Sequence, residues 1–170
     1  MAGLAHLGVG LAAKSIAPNV NAGVLVTAAY ALDIAWGGFF LAGIEQYTGT
    51  GVTSTSPYSH GLFMAVVWSV LAAAAARLIS RNGRTSLIIG LLVFSHWAVD
   101  FIAKPMLHAF PTDTGLPLLF RGSPTVGLGV WSTALGEYIG EYATTLVGFA
   151  IYLRTVMKLR KEKKSLIRAA

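Results

Sequence analysis

No cysteine occurs anywhere in the chain. That excludes a disulfide framework, a thiolate metal site and a thiol nucleophile, and it leaves the redox compartment unread. Charge is scarce as well: charged residues take 12% of the 170 positions against 55% for hydrophobic ones, whereas an average soluble domain carries roughly 25% charged residues. Bulk water is therefore not the main solvent. One bilayer crossing takes about 20 apolar residues, so the length allows four to five crossings with short loops and no separate soluble domain. A basic n-region is also lacking, because the first cation, Lys14, comes after the first apolar stretch instead of preceding it. Residues 1–17 thus read as part of the mature protein and not as a signal peptide.

Five apolar stretches stand out: Gly3 to Ala17, Ala22 to Ile44, Tyr58 to Ile79, Ser86 to Met106 and Gly129 to Leu153. The first is short for a span and can lie in the interface; the other four reach the required length. The breaks between them are Pro18 with Asn19 and Asn21, the run from Thr48 to Pro57, the Arg-Asn-Gly-Arg turn at 81–84, and the proline- and glycine-rich stretch from Pro111 to Pro124. No internal repeat is evident. The expected fold is all-α, a polytopic transmembrane helical bundle of four to five membrane helices over residues 1–157, followed by a basic cytoplasmic tail over 158–170.

Cations set the orientation, since cytoplasmic flanks retain Lys and Arg. Arg77, Arg81 and Arg84 surround one turn, and seven cations follow from Arg154 to Arg168. Both places are expected on the cytoplasmic side, with the loop from 107 to 128 outside. The basic tail suits anionic lipid, at about 1 kcal/mol per cation near the surface. It lacks the interleaved aromatics and reading fold of a nucleic-acid binder, so no nucleic-acid partner is expected.

Acidic residues number only seven, and four of them, Asp33, Asp100, Glu137 and Glu141, lie inside apolar stretches. A carboxylate at the centre of a membrane helix costs about 2.5–3.5 kcal/mol on insertion scales, and such residues face a partner or a wet cavity. His6, His60 and His96 are likewise in or at the edge of helices. At 1.5 Å of rise per residue, most of these side chains fall at similar depth in the outer half, with Asp33 close to mid-span. One cavity open to the outer face accommodates them all. His96 and Asp100 are four apart on one helical face, as are Glu137 and Glu141, so each pair can aim at one point. Imidazole and carboxylate together are the ligand set of zinc, manganese or iron.

Blander readings compete at several positions. His6 alone can hydrogen-bond a backbone carbonyl, His108 reads as a solvated loop residue, and Asp100 with Lys104, also four apart, can form a simple ion pair. Glu137 sits close enough to water to be interfacial. Met64, Trp68, Phe94 and Trp97 read as packing residues.

Several short motifs occur in order along the chain: Pro57-Tyr58-Ser59-His60-Gly61-Leu62, Ser95-His96-Trp97-Ala98-Val99-Asp100, His6 before Ala12-Ala13-Lys14, Leu32-Asp33, Gly43-Ile44-Glu45, Gly115-Leu116-Pro117-Leu118, Gly122-Ser123-Pro124, Gly127-Leu128-Gly129-Val130-Trp131, and Glu141. In these the chain resembles the bacterial membrane-bound metal-dependent hydrolases, the YdjM-like family. The resemblance implies a metal site at His6, Asp33, His60, His96 and Asp100, with Glu141 a further acidic member.

The chemistry implied is activation of water by a divalent transition metal, zinc or manganese. Asp33 and Glu141 are the candidate catalytic carboxylates, Glu141 as ligand or general base, and Arg121 a candidate anchor for a substrate phosphate. An outer site in the bacterial cytoplasmic membrane suits a lipid or a lipid-linked ester or phosphoester. The rival expectation is a non-catalytic subunit of a larger membrane complex, with the polar residues bonding across helices and small residues, 19 glycines and the run Ala72 to Ala76, allowing close packing against other membrane subunits. Proton or ion conduction along the buried carboxylates is a third reading, without the inverted repeat or broken helix pair of a transporter.

Overall fold

The structure, a computed structural model, describes residues 3–45 and 56–169. Six α-helices are present among the described residues: α1 (Gly3–Ala12, continued by a 3₁₀ turn Ala13–Ser15), α2 (Ala22–Ala29), α3 (Ala31–Leu41), α4 (Leu62–Ser80), α5 (Gly83–Ala103) and α6 (Ala134–Ala169). Between α5 and α6 a two-stranded antiparallel hairpin pairs β1 (Leu116–Pro117) with β2 (Thr125–Val126), Leu116 opposite Val126. The all-α expectation holds. Most of the expected loop from Thr48 to Pro57 lies outside the described residues.

Two helices, α4 and α5, are long and apolar enough to cross a membrane. A third crossing results if α2 and α3, which meet at an angle of 59°, form one broken span. Four to five crossings is a finer count than these lengths give. In α1 the helix has only 10 residues. In α6 the uncharged stretch runs only from Tyr142 to Leu153, between Glu141 and Arg154. The sequence places a separate tail after the apolar segment from Gly129 to Leu153; instead α6 begins at Ala134 and runs unbroken through the basic residues to Ala169.

Local sequence explains the helix ends. Asn21 caps α2 by accepting from Gly23 N at 2.7 Å, and Asn82 caps α5 by accepting from Thr85 N at 3.0 Å. Between α4 and α5 only Arg81 and Asn82 intervene, with Arg81 in the left-handed region at φ 53°, so the two helices return antiparallel. Gly90 lets them approach, since a Cβ there would lie 2.9 Å from Ala73 Cβ. Across α1 and α6 the approach is closer still. A Cβ on Gly148 would lie 2.0 Å from the carbonyl oxygen of Gly8, and one on Gly8 would lie 2.4 Å from that of Thr144. Small residues at such crossings replace the hydrophobic drive that lipid removes.

The core lies where α2, the start of α3, α4 and α5 meet, around Leu25, Leu32, Ala65, Ile89, Leu92 and Val93, with Leu116 of the hairpin inserted from one end. At that end α5 terminates. The last four carbonyls of a helix lack intrahelical partners, and the segment after the hairpin satisfies those of α5. Leu128 N, Val130 N and Trp131 N donate to Phe101 O, Ile102 O and Ala103 O at 2.8, 3.1 and 3.2 Å, while Lys104 N donates to Asp100 O. The end of α5 is therefore buried and fixed.

The loop's apolar run from Leu116 to Phe120 is too hydrophobic for a solvated tether and predicts a lid folded back over the bundle with Leu118 and Phe120 buried. The loop does fold back, and Phe63 N donates to Leu118 O at 3.1 Å. Its buried residues are not the expected Leu118 and Phe120. Leu118 is half-buried and Phe120 is 46% exposed, its ring tilted against Tyr58 and edgewise to Phe63, whereas Leu116 and Pro117 are buried. The hairpin register decides this by turning Leu116 inward opposite Val126. Gly115, at φ +98°, makes the turn into β1, where a Cβ would meet Val126 O at 2.6 Å.

Candidate metal centre

Four helix ends meet beneath this loop, at the end of the bundle opposite the Arg81–Asn82 turn. His6 stands in the first turn of α1, Asp33 in the first turn of α3, His60 just before α4, and His96 and Asp100 in the last turns of α5. The structure brings all five together. His60 Nε2 is 3.3 Å from Asp33 Oδ1, 3.3 Å from His96 Nε2 and 3.9 Å from Asp100 Oδ2. His96 Nε2 is 3.6 Å from Asp33 Oδ1 and 4.0 Å from Asp100 Oδ2. His6 Nε2 approaches the other Asp100 oxygen, Oδ1, at 3.4 Å.

Burial makes this arrangement costly as it stands. His6, His60, His96 and Asp100 are buried, and Asp100 is wholly so. Both Asp100 oxygens, Asp33 Oδ1 and His6 Nε2 have no hydrogen-bond partner. A buried polar atom without a partner costs about 1–3 kcal/mol, and more when charged. Asp33 alone retains some access, its side chain 18% exposed, so the cluster opens on the α3 side.

The protons of His96 can be placed. Its Nδ1 lies 2.8 Å from the carbonyl oxygen of Ala29, which can only accept, so Nδ1 carries the hydrogen and a neutral ring presents a bare lone pair at Nε2. That contact depends on the bend between α2 and α3, where Ala29 ends α2 and Tyr30 turns the chain. Tyr30 is itself tied to α1, its hydroxyl donating to Gly3 O and its ring set edgewise to His6.

The spacing fits a small dication. Four donors held about 2.0–2.1 Å from a tetrahedral ion stand roughly 3.3–3.4 Å apart; the Nε2 atoms of His60 and His96 stand 3.3 Å from each other and 3.3–4.0 Å from Asp33 Oδ1 and Asp100 Oδ2. Two triads, Asp33–His60–His96 and His6–His96–Asp100, each place three donor atoms within 4.8 Å of one another. They do not serve one ion equally. The rings of His6 and His96 stack with centroids 3.6 Å apart and planes 11° from parallel, so their lone pairs, each in its own ring plane, do not converge on one point. His60 and His96 with Asp100 Oδ2 make the better set, Asp33 Oδ1 lies 3.3 and 3.6 Å from the two imidazoles on the open side, and His6 backs Asp100 from its far oxygen.

The other candidate residues stand apart. Glu141 Oε2 accepts from Ala5 N at 2.8 Å, and Thr145 Oγ1 donates to Leu4 O, so α6 anchors the start of α1. No ion pair or hydrogen bond joins Glu141 to the cluster among the described residues. Arg121 donates to Ile44 O at 3.0 Å and pins the loop to the end of α3. Lys104 is buried, but no ion pair joins it to Asp100 among the described residues. His108 is exposed in the loop, as expected, and Glu137 is half-buried in the first turn of α6.

Sequence reasoning missed two residues. Glu45 and Ser59 are fully buried beside His60: Glu45 Oε1 accepts from Tyr58 N and Ser59 N at 2.8 and 3.1 Å, Oε2 lies 2.6 Å from Ser59 Oγ, and Ser59 Oγ lies 2.8 Å from His60 Nδ1. The available signal was a second acidic residue just past the apolar stretch that holds Asp33, and a hydroxyl directly before a histidine. No family model, curated protein or solved structure matches the chain. The donor set itself is the ground for a functional reading.

Proposed function

We propose that the chain is an integral protein of a bacterial cytoplasmic membrane that holds one divalent transition metal, zinc or manganese, and hydrolyses a lipid or a lipid-linked ester or phosphoester at the outer face. The observation that carries this reading is the convergence of buried donor atoms from four separate helix ends at ligand spacing, with both Asp100 oxygens, Asp33 Oδ1 and His6 Nε2 lacking hydrogen-bond partners. In this reading α1 and α6 join α2–α3, α4 and α5 as membrane segments, giving five. The Arg81–Arg84 turn and the basic end of α6 face the cytoplasm. The resemblance to the YdjM-like hydrolases points the same way.

His60, His96 and Asp100 would hold the ion, leaving a fourth position for water, and the Asp33 and Asp100 carboxylates would balance its charge. Neutrality of the set is what makes it tolerable in an apolar layer. His6 orients Asp100. A bound dication supplies Lewis acidity, lowering the pKa of a coordinated water and polarising a carbonyl or phosphoryl oxygen. Asp33, at the open side, faces the substrate and takes the proton released when water adds to the carbonyl carbon or phosphorus, and that proton passes to the departing oxygen. The half-exposed Leu118 and Phe120 of the loop provide an apolar rim for a lipid.

Elemental analysis of protein purified without chelator tests this. One equivalent of transition metal, lost in His60→Ala and His96→Ala, is expected. None in the native chain, even after loading with zinc or manganese, would leave the non-catalytic subunit as the better reading.

A further inference from the structure

We infer that Glu45 and Ser59 are positioning residues that dictate which nitrogen of His60 carries its proton, and so present a bare Nε2 to the cluster. The inference rests on the metal reading above for its purpose, but its geometry stands apart from it. Glu45 is fully buried and takes part in no ion pair among the described residues; its charge is held by hydrogen bonds alone. Two come from backbone N–H groups of Tyr58 and Ser59. The third partner is the Ser59 hydroxyl.

Ser59 has one proton and two neighbours to share it with, Glu45 Oε2 at 2.6 Å and His60 Nδ1 at 2.8 Å. A carboxylate can only accept. The 2.6 Å separation also falls in the range of about 2.5–2.7 Å for a hydroxyl donating to an anionic oxygen. The Ser59 hydrogen therefore goes to Glu45, and Ser59 Oγ is left as an acceptor toward His60. Nδ1 must then carry the imidazole hydrogen. Neutral His60 has no other, so its Nε2 lone pair points at His96 Nε2 and Asp33 Oδ1, both 3.3 Å away.

His96 reaches the same tautomer by a different route, through Ala29 O. Two lone pairs thus face each other with no hydrogen between them, an arrangement that a cation resolves. The chain Glu45–Ser59–His60 has the form of the outer-shell supports that fix ligand tautomer and raise ligand basicity. It differs from a plain turn clamp in one respect. The backbone N–H bonds to Glu45 suffice to hold residues 58–59, whereas the Ser59 hydroxyl contributes only to the proton order.

The test uses the full chain in detergent with ¹⁵N-labelled histidine, and reads the His60 tautomer by ¹⁵N NMR and Zn²⁺ affinity by competition with a chromophoric chelator. The native chain is expected to show His60 protonated at Nδ1. Ser59→Ala, which leaves the backbone bonds to Glu45 in place, is expected to shift the proton toward Nε2 and to weaken Zn²⁺ binding about 10- to 100-fold. Ser59→Thr is expected to restore both. Should Ser59→Ala fail to fold, Glu45→Gln decides the matter in the same direction, since it frees the Ser59 hydrogen to turn toward Nδ1. A native His60 protonated at Nε2, or a folded Ser59→Ala with unchanged tautomer and affinity, would overturn the inference. Absence of Zn²⁺ binding by the native chain counts against the metal reading instead, while the native tautomer still decides this one.

Discussion

Replacing Asp100 by asparagine separates the metal reading from the structural one by the sign of its effect. Asp100 is wholly buried, both its oxygens lack hydrogen-bond partners, and the Nε2 atoms of His6, His60 and His96 stand 3.4, 3.9 and 4.0 Å away. In protein stripped with chelator, Asp100→Asn removes a buried charge whose oxygens accept no hydrogen bond and adds an N–H₂ group able to donate to an imidazole. Relief of an unsatisfied buried group amounts to about 1–3 kcal/mol, so the stripped variant is expected to unfold at higher temperature than the native chain. With Zn²⁺ bound the sign reverses. One of two charges balancing the ion is lost, and breaking a buried, otherwise compensated charge pair costs about 3–5 kcal/mol, or roughly two to three and a half decades in Kd. Thermal unfolding followed by tryptophan fluorescence, with and without Zn²⁺, together with chelator competition, measures both. If the stripped variant is strongly destabilised and Zn²⁺ changes neither protein's melting, Asp100 holds the bundle together and the metal reading fails.

Glu141→Ala is expected to leave Zn²⁺ affinity within about threefold and to lower stability by about 1 kcal/mol, because Glu141 bonds Ala5 N and not the cluster; loss of metal in this variant would restore Glu141 as a ligand. Gly148→Val drives a side chain into the carbonyl of Gly8, where even a Cβ would stand 2.0 Å away. A loss of about 3 kcal/mol or more, the upper end of overpacking costs, is expected in detergent melts, while Gly83→Ala, with nothing within 4 Å, serves as the near-neutral control. Cysteines introduced at Asn82 and Thr112 are expected to label from opposite sides of the membrane. Labelling of both from outside intact cells would refute the proposed orientation.

The clustering of His6, Asp33, His60, His96 and Asp100 is legible in the sequence because a membrane-like chain makes each polar side chain expensive. Residues that cost so much separately, and fall at one depth on several segments, have reason to converge, and helical spacing sets His96 and Asp100 on one face. The bend at Tyr30 is not legible. No proline or glycine marks it; Gly37 and Gly38 lie well inside α3 instead. Its supports are tertiary, the Tyr30 hydroxyl on Gly3 O and the His96 ring on Ala29 O. Glu45 escapes for a similar reason, since its partners Tyr58 and Ser59 stand 13 and 14 positions further along the chain, outside the reach of helical periodicity. The loop's apolar run signals that it covers the bundle, but which of its residues turn inward depends on a strand register that two-residue strands do not announce.

A purely structural role for the cluster requires each polar group to find a partner in the protein, because a helix-binding network stabilises only when it is satisfied. His96 meets that condition at Nδ1 and Glu141 meets it at α1. Asp100 does not meet it at either oxygen, nor does Asp33 at Oδ1 or His6 at Nε2. Around Asp100 the bonding is concentrated on the backbone, with four N–H groups occupying the terminal carbonyls of α5. Those bonds fix the carboxylate in place without touching it. A bundle selected only for cohesion gains nothing from holding two carboxylates and three imidazoles mutually close with both Asp100 oxygens, Asp33 Oδ1 and His6 Nε2 unbonded. A ligand site does gain, since donors preset at the spacing of a bound ion need little rearrangement to receive it. The same rigidity explains why access is confined to Asp33: the remaining donors are enclosed by α1, α4 and α5, and whatever enters must come past α3.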